Sequence, residues 1–130
     1  MEIARAWEEE GVKIPAPYSR TIKMIFAPDK QNVEEISFSF ALIDPGSQTD
    51  YHTHDRPEQI YVVSGRGISK CEGEEIEVQG DTVLWVRAGE KHQMRNTGAE
   101  TLKLATVFVP GYTADFNYSR CLEAAGVAEL

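Results

Sequence analysis

From residue 21 to residue 109 the chain consists of short apolar runs separated by glycine- and proline-containing turns, with no long helical pattern between them. The clearest run covers residues 36–42, where large apolar side chains occupy the even positions and small side chains the odd ones. Such alternation predicts a strand with one apolar face. Turn signals recur about every 8 to 12 residues, as they do in sandwiches and small barrels. We therefore predict an all-β fold, a double-sheet jelly roll.

The two ends of the chain add short helices to this prediction. Residues 2–10 are rich in acidic side chains and are followed by Gly11, which predicts a short helix there. Asn117 is placed to cap a second short helix, which Gly126 would end. A length of 130 residues suits a single domain. We divide this domain, residues 1–130, into an N-terminal arm (1–32), a barrel core (about 33–109) and a C-terminal tail (110–130).

The charge and the cysteine content limit the partners and the compartment. The formal net charge of −8 disfavours nucleic acids and anionic membrane surfaces as partners. No apolar run is long enough to cross a bilayer, and the N-terminus lacks the basic-then-apolar order of a signal peptide. Cys71 and Cys121 form no Cys-x-x-Cys pair, so we expect two reduced thiols rather than one disulfide. These features predict a cytoplasmic protein.

Two histidines separated by one residue are the main chemical feature of the chain. His52 and His54 would project to the same side of an extended segment, because successive side chains alternate between faces. A turn at residues 55–57 would bring Glu58 to the mouth of the next strand. Imidazoles and a carboxylate from neighbouring strands are ligands that suit a borderline divalent metal. The alternative is an ordinary half-exposed histidine pair on a strand.

The spacing around these residues resembles the first signature of the cupin superfamily: Gly, five residues, His-x-His, three residues, Glu, six residues, Gly, which this chain matches from Gly46 to Gly65. The second signature, Gly-Asp and later Pro-x-Gly-x-x-His-x-x-x-Asn, resembles residues 80–96, with Arg87 in place of the proline and one additional residue before it. A bulge in the strand after Gly80 would absorb that residue. The resemblance covers most of the chain. It implies a small β-barrel, or double-stranded β-helix, in which a metal is held by His52, His54, Glu58 and His92.

All three histidines of the chain lie in these positions, which chance placement would not produce. We therefore expect one divalent transition metal as cofactor. Its identity does not follow from the residue types, because Fe, Mn, Ni, Co, Cu and Zn all accept imidazole and carboxylate ligands. Four protein ligands leave a six-coordinate ion two positions for water, O2 or substrate, whereas a tetrahedral structural zinc would be closed. Each imidazole should also donate a hydrogen bond to an acceptor from the N–H of the ring nitrogen that does not bind the metal.

Alternation also predicts the walls of the substrate pocket. Met94 has the parity of His92 and is therefore expected to point inward. Further candidate walls are Phe38, Phe40, Leu104, Thr106 and Phe108. Any of these apolar residues can equally be packed core without contact to a ligand. Arg87 is a candidate clamp for a substrate carboxylate, and a surface ion pair is the alternative for this residue.

The resemblance implies two classes of function. The first is a metal-dependent enzyme, of dioxygenase, isomerase, decarboxylase or lyase type, acting on a small organic acid, phenol or sugar-derived substrate. The second is a binding or sensing module that holds a small ligand without turnover. Fold resemblance does not choose between them.

Several predicted strands are apolar on both faces, notably residues 59–63 and 83–86. A sheet that faces water on one side should alternate more regularly. The outer face should therefore be covered, either by the terminal arms or by a second subunit. We predict a homodimer.

Overall fold

The computed structural model describes residues 1–127, and residues 128–130 of the predicted tail lie outside the described part. The described chain contains a 3₁₀ helix at Ala6–Glu8, nine strands and one α-helix, α1, at Ala114–Ala124. The strands are β1 (Val12–Ile14), β2 (Arg20–Phe26), β3 (Ser37–Ile43), β4 (Glu58–Ser64), β5 (Arg66–Cys71), β6 (Glu74–Gln79), β7 (Val83–Val86), β8 (His92–Asn96) and β9 (Leu102–Phe108). No helix within residues 1–127 is both long enough and apolar enough to span a bilayer.

The strands form two antiparallel sheets. The larger sheet has six strands in the order β1-β2-β3-β9-β4-β7, and the smaller has three in the order β6-β5-β8. Isolated bridges at Gln48–Arg95 and His52–His92 attach the segment before β4 to the outer edge of β8. The chain thus crosses repeatedly between the sheets, and the predicted all-β jelly roll is confirmed.

The core is built from alternate residues of each strand. Along β9, Leu102, Leu104, Thr106 and Phe108 are buried, whereas the residues between them are partly exposed. The core cluster combines side chains of the larger sheet with Val78 and Met94 of the smaller sheet. Each fully buried large apolar side chain stabilises the fold by about 1.5–3 kcal/mol. The two inner faces therefore hold the sheets together and enclose the site described below.

The alternation along β3 has the opposite sense from the one expected, so the predicted pocket walls Phe38 and Phe40 are wrong. Their rings lie on the outer face, 5.2 Å apart in an edge-to-face arrangement. The inner face carries small side chains, including Ser39, whose hydroxyl is 2.7 Å from that of Thr106. On this partly exposed face the Nζ of Lys103 lies 4.7 Å from the centre of the Phe40 ring. Small inward residues on β3 leave room for a cavity inside the barrel.

The helical ends also differ from the prediction. Residues 2–10 form only one 3₁₀ turn, which buries no side chain and so gains no packing that would stabilise a longer helix. Helix α1 begins after Thr113, whose hydroxyl accepts a hydrogen bond from the Phe116 N–H at 3.1 Å. The predicted cap Asn117 is wrong, because that residue lies inside the helix and is buried. Gly126 follows the helix end with φ +82°, as expected.

The turns of the smaller sheet are set by local sequence. Glu72 and Gly73 have φ values of 49° and 83°, which close the predicted β5–β6 hairpin with two left-handed residues. The bulge expected after Gly80 is wrong, since β7 pairs with β4 without a register shift. The chain turns there through Asp81, at φ 71°, whose N–H donates to the Val62 carbonyl at 2.8 Å. The strand leading towards His92 is therefore regular.

Candidate metal centre

A short bridge between two chain segments brings two of the predicted ligands together. The N–H of His52 donates to the His92 carbonyl at 3.0 Å, and the N–H of His92 donates to the His52 carbonyl at 2.8 Å. The two imidazole centres are consequently 4.4 Å apart. Glu58 is the first residue of β4, on the larger sheet, and is buried. The bridge and β4 thus bring side chains from both sheets to one point.

The potential ligand atoms are close to one another. Nε2 of His52 lies 2.9 Å from Nε2 of His54, and Nε2 of His92 lies 3.1 Å from Oε1 of Glu58. That carboxylate oxygen is 3.7 Å from Nε2 of His54. The ligand atoms of the three histidines all lie within 4.8 Å of one another. Two ligands that each lie about 2.1 Å from an ion, at a right angle, are about 3.0 Å apart, so the donor set fits a single divalent ion.

Hydrogen bonds to the backbone orient two of the imidazoles. Nδ1 of His52 lies 2.7 Å from the Asp50 carbonyl oxygen, and Nδ1 of His92 lies 2.9 Å from the Glu90 carbonyl oxygen. A carbonyl only accepts, so each Nδ1 carries the proton and each Nε2 of a neutral ring presents its lone pair to the cluster. Nδ1 of His54 is buried and has no hydrogen-bond partner within residues 1–127. The expected acceptors are thus present for His52 and His92.

The electrostatic environment separates the three histidines. Burial, and after it the positive charge of Arg120, lowers the pKa of His52 to about 4. Burial likewise lowers the pKa of His54 to about 2, with additional repulsion from His52 and Arg120. Burial also opposes the charged form of His92, but its hydrogen bond to Glu58 and the charge of that carboxylate outweigh burial and raise its pKa. At neutral pH the rings of His52 and His54 are therefore neutral, as metal ligands must be.

The four side chains line a half-open cavity of about 70 Å³. A single water needs roughly 10–15 Å³ of such volume, so the cavity holds several waters or a small ligand. Its apolar walls include Ile60, Leu104 and Phe108. Its polar walls include Ser39, Thr49, Thr106 and Asn117. A metal in this position would therefore border a half-open cavity with apolar and polar walls.

A comparison with protein families shows which family has this fold and this arrangement of ligands. The family model described as "Cupin domain" matches residues 39–108, which is more than half of the chain. The chain belongs to the cupin family. The matched segment includes all four predicted ligands. The residues of the cupin signatures are therefore the same residues whose side chains cluster in this structure.

Relatives of this cupin include two curated proteins. It is 27% identical over 93 residues to an uncharacterized protein of Methanocaldococcus jannaschii, covering 71% of this chain and 74% of that protein. It is also 27% identical over 73 residues to an oxalate-binding protein of Thermotoga maritima, covering 55% of this chain and 60% of that protein. The second alignment thus spans less than two thirds of the oxalate-binding protein.

Solved structures support the same fold. A Thermotoga maritima protein described as a predicted oxalate decarboxylase superposes with a TM-score of 0.75 at 20% identity, covering 83% of this chain and 98% of that one. Ectoine synthase from P. lautus superposes with a TM-score of 0.77 at 18% identity, covering 92% of this chain and 86% of that one. Identities this low establish a shared architecture only.

The remaining predicted pocket residues divide into two groups. Met94 and Phe108 are buried and line the cavity, together with Leu104 and Thr106. Arg87 does not line the cavity and is exposed, so its predicted role as a substrate clamp is wrong. The turn at residues 87–90 explains this position, because the Arg87 N–H donates to the Glu90 carboxylate at 2.7 Å while the side chain faces solvent.

Sequence reasoning missed two arginines that do line the cavity, Arg20 of β2 and Arg120 of α1. Arg20 is almost completely buried, with 2% of its surface exposed. A signal for Arg20 was present, since it shares the parity of the buried residues Ile22 and Met24. No comparable signal exists for Arg120, because its position depends on how α1 packs against the barrel.

Proposed function

We propose that this cupin is a metal-dependent enzyme that acts on a small organic acid. The observation that carries the proposal is the convergence of His52, His54, His92 and Glu58 on the wall of a half-open cavity. The cavity offers space next to the donor set, which a closed structural zinc site would not need. The relatives described as oxalate-binding and as a predicted oxalate decarboxylase support an acid as ligand.

When bound, a divalent ion would polarise a substrate oxygen or lower the pKa of a bound water. The protein contributes the orientation of the ligands and the shape of the cavity. The backbone acceptors of His52 and His92 hold both rings with Nε2 towards the cluster. The apolar walls formed by Ile60, Leu104 and Phe108 limit the water around the reacting groups.

Metal loading and turnover can be measured separately. The metal-free protein is offered Fe(II), Mn(II), Co(II), Ni(II), Cu(II) and Zn(II) in turn, and bound metal is measured after gel filtration. We expect one ion per chain in the wild type and none in His54→Ala, with the fold of the variant unchanged by circular dichroism. Unchanged metal stoichiometry in His54→Ala would show that the ligand assignment is wrong.

The loaded wild type is then assayed for O2 consumption, CO2 release and substrate loss with small organic acids, phenols and sugar-derived acids. Turnover of an acid that stops in His54→Ala supports the enzyme. Binding without turnover favours the second candidate, a non-catalytic ligand-binding module, for which the oxalate-binding relative is the supporting observation.

We also propose that the protein is a homodimer in the cytoplasm. Support for the dimer comes from β7, the edge strand of the larger sheet, where Val83 and Trp85 are 58% and 50% exposed. Large apolar side chains on an unpaired edge commonly mark a protein interface. Light scattering at micromolar concentration should give the dimer mass for the wild type and the monomer mass for Trp85→Lys. A monodisperse wild-type monomer would contradict the proposal.

A further inference from the structure

Two arginines from outside the segment matched by the cupin family model line the cavity and lie on either side of one carboxylate. Arg20 begins β2 and Arg120 lies in α1, whereas the family match covers residues 39–108. Both line the same cavity as the histidines and Glu58. Asp50 lies between them, with Oδ1 at 3.6 Å from Nη2 of Arg20 and Oδ2 at 3.4 Å from Nη1 of Arg120. The terminal segments thus bring two positive charges to the cavity, one on the buried Arg20 and one on the partly exposed Arg120.

The guanidinium of Arg120 is incompletely hydrogen-bonded. Its Nη1 is 3.4 Å from Asp50, its Nη2 is 3.4 Å from Sγ of Cys121, and its Nε is buried without a partner. A strong hydrogen bond between a guanidinium and a carboxylate is about 2.7–2.9 Å long. Oδ1 of Asp50 is likewise buried and accepts no hydrogen bond. A compact structural ion pair would satisfy these atoms, so the arrangement leaves donors free for another acceptor.

The charges around the cavity lead to the same expectation. The positive charges of Arg20 and Arg120 are balanced by the carboxylates of Asp50 and Glu58. A divalent ion held by the histidines and Glu58 would leave an excess of positive charge in a half-open, largely apolar cavity. Uncompensated buried charge is costly, and an anionic ligand removes that cost. The charge of Arg120 also acts on all three imidazoles, which shows its proximity to the site.

We propose that Arg20 and Arg120 form a carboxylate subsite, so that the ligand is a short acid with its carboxylate against the arginines and a second oxygen towards the metal centre. This inference rests on the proposed metal centre and adds the ligand class and its orientation. Asn117, also on α1 and lining the cavity, supplies a further buried amide beside the subsite. Specificity then depends on β2 and α1 rather than on the cupin motifs.

The test uses protein loaded with whichever single divalent ion the wild type takes up at one per chain. Calorimetric titrations with oxalate, malonate and uncharged oxamide compare the wild type with Arg120→Gln. Arg87→Gln is the matched control, because it removes the same charge from an exposed site outside the cavity. Bound metal is measured in every sample before titration.

We expect the better-bound diacid to bind about 30-fold or more weakly to Arg120→Gln, since truncating one partner of a desolvated charge pair typically has this effect. Arg87→Gln should bind within about twofold of the wild type, and oxamide should bind poorly to all three proteins. Equal diacid affinity in metal-loaded Arg120→Gln and wild type would overturn the subsite. Equal affinity for oxamide and oxalate in the wild type would also overturn it. A wild type that takes up no ion refutes the metal centre instead, so the two failures are distinguishable.

Discussion

Acidification of the metal-free protein should destabilise it through two of the three histidines. In the folded chain the pKa of His52 is about 4 and that of His54 about 2, both well below the ordinary value of 6.5. Between pH 6 and pH 5 the unfolded chain therefore binds a proton on each of these rings, while the folded chain binds neither. Stability rises with pH wherever the unfolded state holds more protons. The free energy of unfolding must consequently fall as the pH is lowered through this window.

The size of the effect follows from the number of protons. Each proton taken up on unfolding changes the free energy of unfolding by about 1.4 kcal/mol per pH unit, so two give up to about 2.7 kcal/mol. His92 has a raised pKa, is charged in both states below its ordinary value, and adds no slope in this window. Its stabilisation is lost instead as the pH rises through its folded pKa. Since the chain has only these three histidines, no other imidazole contributes.

Urea denaturation of EDTA-treated protein at half-unit steps between pH 5 and pH 7 measures this slope. His54→Gln keeps a polar side chain of similar reach and removes one titrating ring, so its slope between pH 6 and pH 5 should be about half that of the wild type. A wild-type free energy of unfolding that stays constant from pH 6 to pH 5 would refute the reasoning, because the buried rings would then not be held neutral.

Two further predictions concern the ligand set and the packing of the barrel. Glu58→Gln should weaken metal binding by more than about 100-fold in equilibrium dialysis, since even partners of ligands change affinity 10–100-fold; Glu75→Gln, at an exposed carboxylate, is the control, and equal affinity in both variants would contradict the assignment. Gly67→Ala should lower the free energy of unfolding by about 1–3 kcal/mol. The Cβ of the new alanine would overlap the Arg95 carbonyl oxygen and lie 2.8 Å from Cδ2 of Leu102. Gly98→Ala has ordinary contacts and should be nearly neutral, and a similar loss in both variants would refute the packing argument.

The features that could be predicted from the sequence are those set by neighbouring residues. The spacing of His52, His54 and Glu58 is short, so one extended segment and one turn are sufficient to predict their convergence. Met94 and Phe108 were correctly predicted to lie inside because their parity is fixed by His92 and by the regular alternation of β9. The hairpin at Glu72 and Gly73 likewise depends on local turn chemistry alone.

The features that were missed depend on which face of a strand the rest of the chain covers. Alternation along β3 defines two faces, but it does not say that the aromatic face would be outside and the Ser39 face inside. The position of Arg120 depends on α1 packing against the barrel, where Asn117 contacts Met24 through a 3.4 Å hydrogen bond to its sulfur. Contacts between residues about ninety positions apart are not encoded in local periodicity.

Anomalous diffraction from crystals of protein loaded with one divalent ion would locate the ion itself. We predict a single peak about 2.0–2.3 Å from Nε2 of His52, His54 and His92 and from a carboxylate oxygen of Glu58. In protein that carries one ion per chain, a peak at any other position would contradict this account. So would a peak that lies too far from Nε2 of His92 to be bound by it.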